Sequence, residues 1–312
     1  MRKRFFGLIG LMVAIALWSG LNGYGGVENT SAQAEGIEVV TSETETKWES
    51  KIIEEKEGKY IIKDLYIQNP EMGNRNIYAL EITPADTEKG SKIPILVCVH
   101  GGEGNAYSMS PYAKRMAEKG IAALSIECCG GIRNPKSDGK ELFSSHYSSR
   151  ISDLNAAIDY AKTLDYVDPE QIYLVGESYG GAVIMLAAAY RTTPEGTCDI
   201  AGLILESTGF GPNSLFAPAE DDPSVIWEYV PEDPFTKLQE YTGKVVCFCG
   251  TEDATGAYDN GKYTIDRYNE SERAEPAVFY SLEGSGHGYV LFTDEARKEM
   301  INISVELING EC

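Results

Sequence analysis

Positive charge and histidine are both scarce in this chain. Its 312 residues include 27 lysines and arginines against 48 aspartates and glutamates, which gives a formal net charge of −21. A surface this acidic repels phosphate backbones and anionic lipid, so the composition argues against nucleic acid and membrane surfaces as partners. Any chemistry that needs an imidazole has only three candidates, His100, His146 and His287.

Motifs for metals and nucleotide cofactors are also missing. The histidines are scattered, and the sequence contains no C-x-x-C pair, no phosphate loop and no dinucleotide-binding fingerprint. The one C-x-C pair, Cys247 and Cys249, falls in a predicted buried strand with both thiols on one face, which favours core packing over metal binding. The sequence therefore predicts no cofactor and no metal.

The seven cysteines do not indicate a disulfide framework. Their number is odd, and Cys98, Cys247 and Cys249 lie inside predicted buried strands. Cys128 and Cys129 are adjacent, an arrangement that suits bridging poorly. We expect buried cysteines to behave as small apolar side chains.

The N-terminal residues have the features of an export signal. A basic start, Arg2-Lys3-Arg4, precedes an apolar stretch over residues 5–18, and Ala32-Gln33-Ala34 matches a cleavage site. These features predict a signal peptide over residues 1–34 and a secreted protein. Because residues 5–27 carry no charge, an uncleaved anchor that holds the protein at the cell surface stays open as the alternative.

The remainder is predicted to form one domain after a short lead-in. Residues 35–58 are rich in glutamate and predict a mobile segment. Residues 59–312 show neither internal repeats nor a second domain. A hydrophobic content of 43% suits one α/β domain with a full-sized core.

Strand and helix patterns follow each other in a recognisable order. Eight runs predict strands: Lys59–Gln68, Arg75–Thr83, Ile93–Val99, Ile121–Ile126, Ile172–Val175, Ala201–Leu205, Lys244–Cys249 and Ala277–Leu282. Helical patterns cover Ala106–Lys119, Ser149–Leu164, the residues after Gly180, Phe235–Tyr241 and Asp294–Ile308. A leading hairpin followed by alternating strands and helices predicts a mostly parallel sheet with helices on both faces.

The segment around Ser178 has the pattern of a nucleophile elbow. A short apolar strand runs into Gly176-Glu-Ser178-Tyr-Gly180, and an apolar helix of small residues follows. The glycines on either side of Ser178 give the backbone room for a sharp turn. This strand–turn–helix context is the one that a G-x-S-x-G nucleophile requires.

A serine nucleophile needs a base and a group that orients the base. His287 lies in the glycine-rich loop after the last predicted strand, so we expect it to be the base. Asp253 follows the strand that ends at Cys249, and we expect its carboxylate to reach the imidazole. Three other acids compete with Asp253 for that role: Glu252, Asp259 and Glu206.

The oxyanion that forms in acyl transfer needs preorganised donors, each worth roughly 3–4 kcal/mol of barrier. The N–H of Tyr179, directly after the candidate nucleophile, is one. Gly101 or Gly102, in the loop after a predicted buried strand, is expected to supply the other. We expect His100 to brace this loop rather than to titrate in catalysis.

These motifs resemble the α/β-hydrolase superfamily, nearest to its prolyl-oligopeptidase-like and dienelactone-hydrolase-like esterase branch. The residues that carry the resemblance are His100-Gly-Gly, the segment Val167–Gly181, Gly250-Thr-Glu-Asp253 and Gly286-His287. The resemblance implies an α/β-hydrolase fold and the chain order nucleophile, acid, base. Two departures stand out: no propeller precedes the catalytic part, and Glu103 occupies the place of a glycine in the HGGG-type loop.

The resemblance implies a serine-hydrolase triad but no particular substrate. Together with the export signal, it makes a secreted carboxylic-ester hydrolase that works through an acyl-enzyme the leading hypothesis. We expect short acyl esters, such as acetyl groups on glycans, as substrates. A serine exopeptidase is the alternative, for which Glu206, Asp221 or Asp222 would hold a substrate ammonium group. A non-catalytic binding module is a further alternative, but such modules typically lose a triad member and none is missing here.

The long insertion over residues 206–234 is predicted to cap the site. It carries four aromatic residues among prolines and acids: Phe210, Phe216, Trp227 and Tyr229. We expect this cap to shape the pocket for the acyl or alcohol group, with an irregular surface loop as the alternative.

Overall fold

A computed structural model describes residues 50–102, 104–129, 135–139, 147–212 and 226–311 of the chain. All of these residues fall within one compact unit, Lys47–Cys312. The predicted signal peptide and residues 35–49 of the predicted lead-in lie outside the described residues. No helix in the described ranges is long and apolar enough to cross a membrane.

One sheet of nine strands runs through the described residues. The strands are β1 (Lys51–Lys56), β2 (Tyr60–Asn69), β3 (Arg75–Pro84), β4 (Ile93–Val99), β5 (Ala122–Ile126), β6 (Val167–Glu177), β7 (Gly202–Glu206), β8 (Lys244–Gly250) and β9 (Val278–Leu282). Their order across the sheet is β1-β2-β3-β5-β4-β6-β7-β8-β9. The first three pair antiparallel, and β3 pairs antiparallel with β5, whereas the strands from β5 to β9 in this order pair parallel. The prediction of a mostly parallel sheet is confirmed.

Six α-helices flank the sheet within the described part of the chain. They are α1 (Ser110–Ala117), α2 (Tyr147–Thr163), α3 (Tyr179–Arg191), α4 (Pro234–Leu238), α5 (Ala257–Tyr268) and α6 (Asp294–Asn309). Residues of α2, α3, α4 and α5 share one buried cluster with the sheet. Residues of α1 and α6 share the other. Helices therefore cover both faces, as predicted.

Strand β4 shows why the apolar runs fold this way. Ile95, Val97 and Val99 enter one buried cluster, and Leu96 and Cys98 enter the other. A strand covered on both faces needs apolar side chains at every position, because successive side chains point to opposite sides.

The prediction of eight strands is wrong by one. Lys51–Lys56 form β1, at the end of the predicted mobile lead-in, and every residue of it is exposed. Its sequence lacks an apolar face, so no alternation marks it as a strand. Pairing with β2 holds it at the sheet edge, helped by Glu54, which accepts hydrogen bonds from Tyr60 and Lys114 at 2.8 Å each.

Helix α5 was not predicted either. It is polar and contains Gly261, a residue that weakens helical patterns. In the fold, a Cβ at Gly261 would lie 2.8 Å from Cys249 Sγ and 2.8 Å from the Thr208 carbonyl oxygen. The glycine therefore lets α5 pack closely on β8, and this tertiary contact outweighs local propensity.

The strand cysteines Cys98, Cys247 and Cys249 are core residues, as predicted. Cys128 and Cys129 are buried as well, and Cys198 is partly buried. The Sγ atoms of Cys247 and Cys249 lie 3.8 Å apart on one face of β8. Within the described residues, no group of three or more histidines, cysteines or acids could hold a metal ion.

We expect the strand thiols to resist alkylation in the native protein. Burial raises the pKa of Cys98, and the contact with Cys249 together with burial raises that of Cys247, so few reactive thiolates form. Iodoacetamide at pH 8, followed by peptide mass mapping, should leave Cys98, Cys247 and Cys249 unmodified and should modify Cys198 first among the described cysteines. The same reagent in guanidinium should label all of them. Rapid native labelling of Cys247 would contradict its place in the core.

Candidate active site

Ser178 sits in a sharp turn between β6 and α3, as the motif predicts. Its backbone has φ 51° and ψ −117°, values that are strained for a residue with a side chain. A Cβ at Gly176 would lie 2.5 Å from the Gly180 carbonyl oxygen, and one at Gly180 would lie 2.3 Å from the Val99 carbonyl oxygen. Only glycine fits at either position, so the two glycines of the motif make the turn possible.

The residues at the end of β7 hold this strained turn in place. We call Glu206, Ser207 and Thr208 the β7 end. The Ser178 N–H donates to the Glu206 carbonyl oxygen at 2.8 Å, and Thr208 Oγ1 donates to the Ser178 carbonyl oxygen at 2.6 Å. Both backbone groups of the candidate nucleophile are therefore fixed from one neighbouring strand.

The same β7 end holds the loop that carries His287. The Gly288 N–H donates to Ser207 Oγ at 2.8 Å, and the Tyr289 N–H donates to Glu206 Oε1. Gly288 has φ 82°, which favours glycine. Three consecutive residues thus connect the turn at Ser178 with the histidine loop.

His287 and Asp253 are brought together directly. His287 Nδ1 lies 2.7 Å from Asp253 Oδ2, and the Asp253 side chain is closed to solvent. Thr255 donates to Asp253 Oδ1 from its N–H at 2.9 Å and from Oγ1 at 2.6 Å. When the Nδ1–H of the imidazole donates to this carboxylate, the lone pair on Nε2 is free to accept a proton.

The hydrogen bonds around Asp253 keep it ionised. Burial acts to raise the pKa of Asp253, but the bonds from Thr255 and from His287 outweigh it, so the pKa lies below its ordinary value. An ionised carboxylate is the form that orients an imidazole and stabilises its protonated state.

The three competing acids are placed elsewhere. Glu252 and Asp259 are exposed. Glu206 is fully buried and accepts from the Tyr289 N–H instead. No hydrogen bond connects any of these three with His287 in the described part of the chain, whereas Asp253 makes one.

The loop after β4 lies against the candidate nucleophile. A Cβ at Gly101 would lie 3.4 Å from Ser178 Cβ. His100 is fully buried and its Nδ1 donates to the Gly101 carbonyl oxygen at 2.7 Å. Burial, followed by the charge of Arg150, lowers the pKa of His100 to about 3, so it remains neutral. This is the bracing contact that the sequence predicts for His100.

Candidate oxyanion donors come from both sides of Ser178. Tyr179 is the first residue of α3, so its N–H has no acceptor within the helix. Of the two candidate glycines, Gly101 is placed against Ser178 by its 3.4 Å Cβ contact. Gly102 follows it in a turn, and Glu103 lies outside the described residues.

Ser178, Tyr179 and His287 face a cavity of about 350 Å³. Its lining comprises Tyr147, Ser178, Tyr179, Ala182, Ser207, Thr208, Gly209, Phe210, Thr255, Ala257, Asn260 and His287. The rings of Tyr147 and Tyr179 stack with centroids 4.3 Å apart, and Phe210 meets Tyr147 edge-on at 6.3 Å. One wall of the cavity is therefore aromatic. Hydroxyl groups, an amide, the imidazole and small residues line the other walls.

The described parts of the predicted cap have mixed roles. Glu206 is the last residue of β7, and Phe210 is buried in the pocket wall. Tyr229 packs edge-on against Tyr190 with ring centroids 5.4 Å apart, and Trp227 is 51% exposed. The centre of the insertion, residues 213–225 with Phe216, Asp221 and Asp222, lies outside the described residues.

Several residues of the site carry no signal in the sequence. Ser207 and Thr208 follow a strand in an unremarkable Ser-Thr-Gly run, and Thr255 is one of many threonines. Tyr147 precedes the predicted start of its helix by two residues. Ser207 has a φ of 45°, which marks a turn only once the backbone is known.

Comparisons with known proteins agree with this geometry. The family model described as serine aminopeptidase, S33, matches residues 90–231. The quorum-quenching protein AidA of Acinetobacter baumannii (strain MDR-ZJ06) is 30% identical over 97 residues, which cover 31% of each chain. The match thus spans about a third of the length of this curated relative.

Solved structures show the same fold. Est1E from Butyrivibrio proteoclasticus, with ferulic acid bound, is 22% identical with a TM-score of 0.59, covering 78% of this chain and 99% of that one. A putative dienelactone hydrolase from Klebsiella pneumoniae subsp. pneumoniae is 16% identical with a TM-score of 0.58, covering 80% and 98%. The esterase Est2 from Thermogutta terrifontis is 16% identical with a TM-score of 0.57, covering 78% and 91%.

If Asp253 orients His287, neutralising it should cost far more than neutralising its neighbours. We expect Asp253→Asn to lower kcat by roughly 10³–10⁴-fold, because an amide stabilises the wrong imidazole tautomer. Glu252→Gln and Asp259→Asn remove the same charge nearby and should change kcat less than threefold. Steady-state hydrolysis of p-nitrophenyl acetate measures all three. Equal losses in the three variants would contradict the assignment.

Proposed function

We propose that the chain, which has an α/β-hydrolase fold, is a serine hydrolase that cleaves carboxylic esters through an acyl-enzyme. One observation carries the proposal. The strained turn presents Ser178 to the same cavity as His287, and His287 is hydrogen-bonded to the buried carboxylate of Asp253 at 2.7 Å.

In the first half of the proposed reaction, Ser178 Oγ attacks the ester carbonyl carbon. His287 Nε2 accepts the hydroxyl proton, and the ionised Asp253 stabilises the resulting imidazolium. The N–H groups of Tyr179 and of Gly101 or Gly102 donate to the oxyanion. When the tetrahedral intermediate collapses, His287 returns the proton to the leaving alcohol and the acyl group stays on Ser178.

Water reverses these roles in the second half. His287 takes a proton from the attacking water, and the second tetrahedral intermediate is held by the same donors. Its collapse expels Ser178 Oγ, which receives the proton back from His287. The carboxylic acid leaves, and the protein returns to its starting state without a cofactor.

The size and lining of the pocket support short acyl esters. At about 350 Å³ the cavity is near the lower end of ligand pockets, which leaves little room for a long alkyl chain. Thr208, Thr255 and Asn260 offer hydroxyl and amide groups to a polar alcohol such as a sugar, and Tyr147 offers a ring. We therefore propose acetyl or similar groups on glycans as the substrate class.

The exopeptidase alternative receives less support. The matching family model is described as a serine aminopeptidase, and this description favours the alternative. However, Glu206 is fully buried at the end of the interior strand β7 and accepts a hydrogen bond from the Tyr289 N–H, so it is not placed to hold a substrate ammonium group.

Export from the cell is part of the proposal. It is supported by the basic, apolar and A-x-A segments of residues 1–34, with anchoring at the cell surface as the alternative. Such a location would place a glycan esterase among polymeric substrates. Nucleic acid and membrane surfaces are not proposed as partners of this acidic chain.

The nucleophile can be identified by substitution and labelling. We expect Ser178→Ala to fold normally, as judged by circular dichroism, and to lose at least 10⁴-fold in kcat, because no acyl-enzyme can form. A fluorophosphonate probe should label the native protein at Ser178, and mass mapping should find no label in the variant. If the probe labelled Ser207, which lines the same cavity, Ser207 rather than Ser178 would be assigned as the nucleophile.

The substrate class can be tested with a matched ester series. We expect kcat/KM to fall from p-nitrophenyl acetate to butyrate and by at least 100-fold to laurate, because the small cavity, lined largely by polar side chains, offers a long alkyl chain little apolar contact. Acetylated xylan should release acetate, and an aminoacyl p-nitroanilide should be cleaved far more slowly. A preference for laurate would indicate a lipase, and equal turnover of the anilide would indicate a peptidase.

A further inference from the structure

Two glutamates lie side by side beneath the candidate active site. Glu177 ends β6 and Glu206 ends β7, and the two residues are partners in the parallel register of these strands. Residues paired in this way on neighbouring strands point to the same face and lie roughly 5 Å apart. Neither residue has a step in the ester hydrolysis described above.

Glu206 lies in a site poorly suited to a carboxylate charge. It is fully buried, its Oε1 accepts from the Tyr289 N–H, and its Oε2 has no hydrogen-bond partner within the described residues. A buried carboxylate with a single donor and no cation favours its neutral form. Burial and the charge of Glu177 accordingly raise the pKa of Glu206 well above its ordinary value.

The titratable groups that face Glu206 would not neutralise a negative charge on its carboxylate. They come from β6, β4, β8, α1 and the residues after His287: Glu177, Cys98, Cys249, Tyr112 and Tyr289. All of these are acids, and none is a cation. Two carboxylates in such surroundings hold one proton between them, because the second ionisation would place like charges close together in a poorly solvated site.

Glu177 is the better location for the one negative charge. Its Oε1 lies 2.7 Å from the position of a Cβ on Gly288 and 3.4 Å from that of a Cβ on Gly101, so it sits between the two loops of the site. Burial raises the pKa of Glu177, whereas His287 acts in the opposite direction. Its ionised form is thus favoured whenever the imidazole is protonated.

We propose that Glu177 and Glu206 form a carboxyl pair with a single proton that positions His287. Glu206 stays protonated and holds the backbone after His287 through Tyr289. Glu177 carries the charge of the pair beside the imidazole, where it stabilises the imidazolium of the reaction. This second role rests on the proposed serine-hydrolase function, whereas the proton held by Glu206 does not.

The proton on Glu206 can be tested without any activity. In the native protein, folding keeps Glu206 protonated, and unfolding lets it ionise above its ordinary pKa. Its contribution to stability is therefore present at low pH and lost as the pH rises. Glu206→Gln is neutral at every pH, so Tm of the variant minus Tm of the native protein should rise by roughly 2–4 °C per pH unit between pH 5.5 and 8.

The charge on Glu177 can be tested through the pH dependence of hydrolysis. We expect Glu177→Gln to lower kcat about tenfold with little change in KM, because the imidazolium forms only along the reaction path. The acidic limb of the kcat/KM profile should move to lower pH by roughly one unit, because a negative neighbour of the imidazole is lost.

Glu283→Gln is the matched control for both measurements. It removes one carboxylate from an exposed residue four positions before His287. It should leave the acidic limb in place and give a Tm difference that does not rise with pH. A constant Tm difference for Glu206→Gln, or an unmoved acidic limb for Glu177→Gln, would overturn the proposal. Absence of hydrolysis by the native protein would overturn the proposed function but leave the Tm measurement intact.

Discussion

The conformation of Ser178 is the constraint on which the rest of the site depends. A residue with a side chain is held at a positive φ, and such strain persists only where the surroundings fix it from several directions. The β7 end does so by bonding both the N–H and the carbonyl oxygen of Ser178. Because the β7 end also bonds Gly288 and Tyr289, the position of the histidine is set by the same three residues. The turn at Ser178 and the loop that carries His287 are therefore both held by the β7 end.

The sequence predicts the parts of the fold where pattern and burial coincide. Eight of the nine strands have apolar or alternating runs, and helices α1 and α6 lie on one face with α2 to α5 on the other. The missed elements are those that depend on contacts between distant segments. Strand β1 has no buried face and is held by pairing alone, and α5 carries a glycine that only its packing against β8 explains.

The residues of the candidate site also fall into two groups: those with a local signal in the sequence, and those whose roles depend on contacts between distant segments. Glycines next to a strand end mark the turns around Ser178 and His287, and the chain order of the three motifs points to Asp253. Ser207 and Thr208 could not be predicted, because their roles depend on which backbone group each hydroxyl reaches. That depends on the register of β6 against β7 and on the approach of the histidine loop to the β7 end, neither of which is encoded locally.

Burial alone does not decide what an acid does in this site; the number of donors does. Asp253 is closed to solvent yet ionised, because two donors of Thr255 and the imidazole of His287 converge on it. Glu206 is equally closed to solvent, but it has a single backbone donor and a negative neighbour, so its neutral form is favoured. In the sequence both are acids that follow a buried strand. The division of roles between them arises from the loops that fold over each strand end, which supply three donors to one carboxyl group and one to the other.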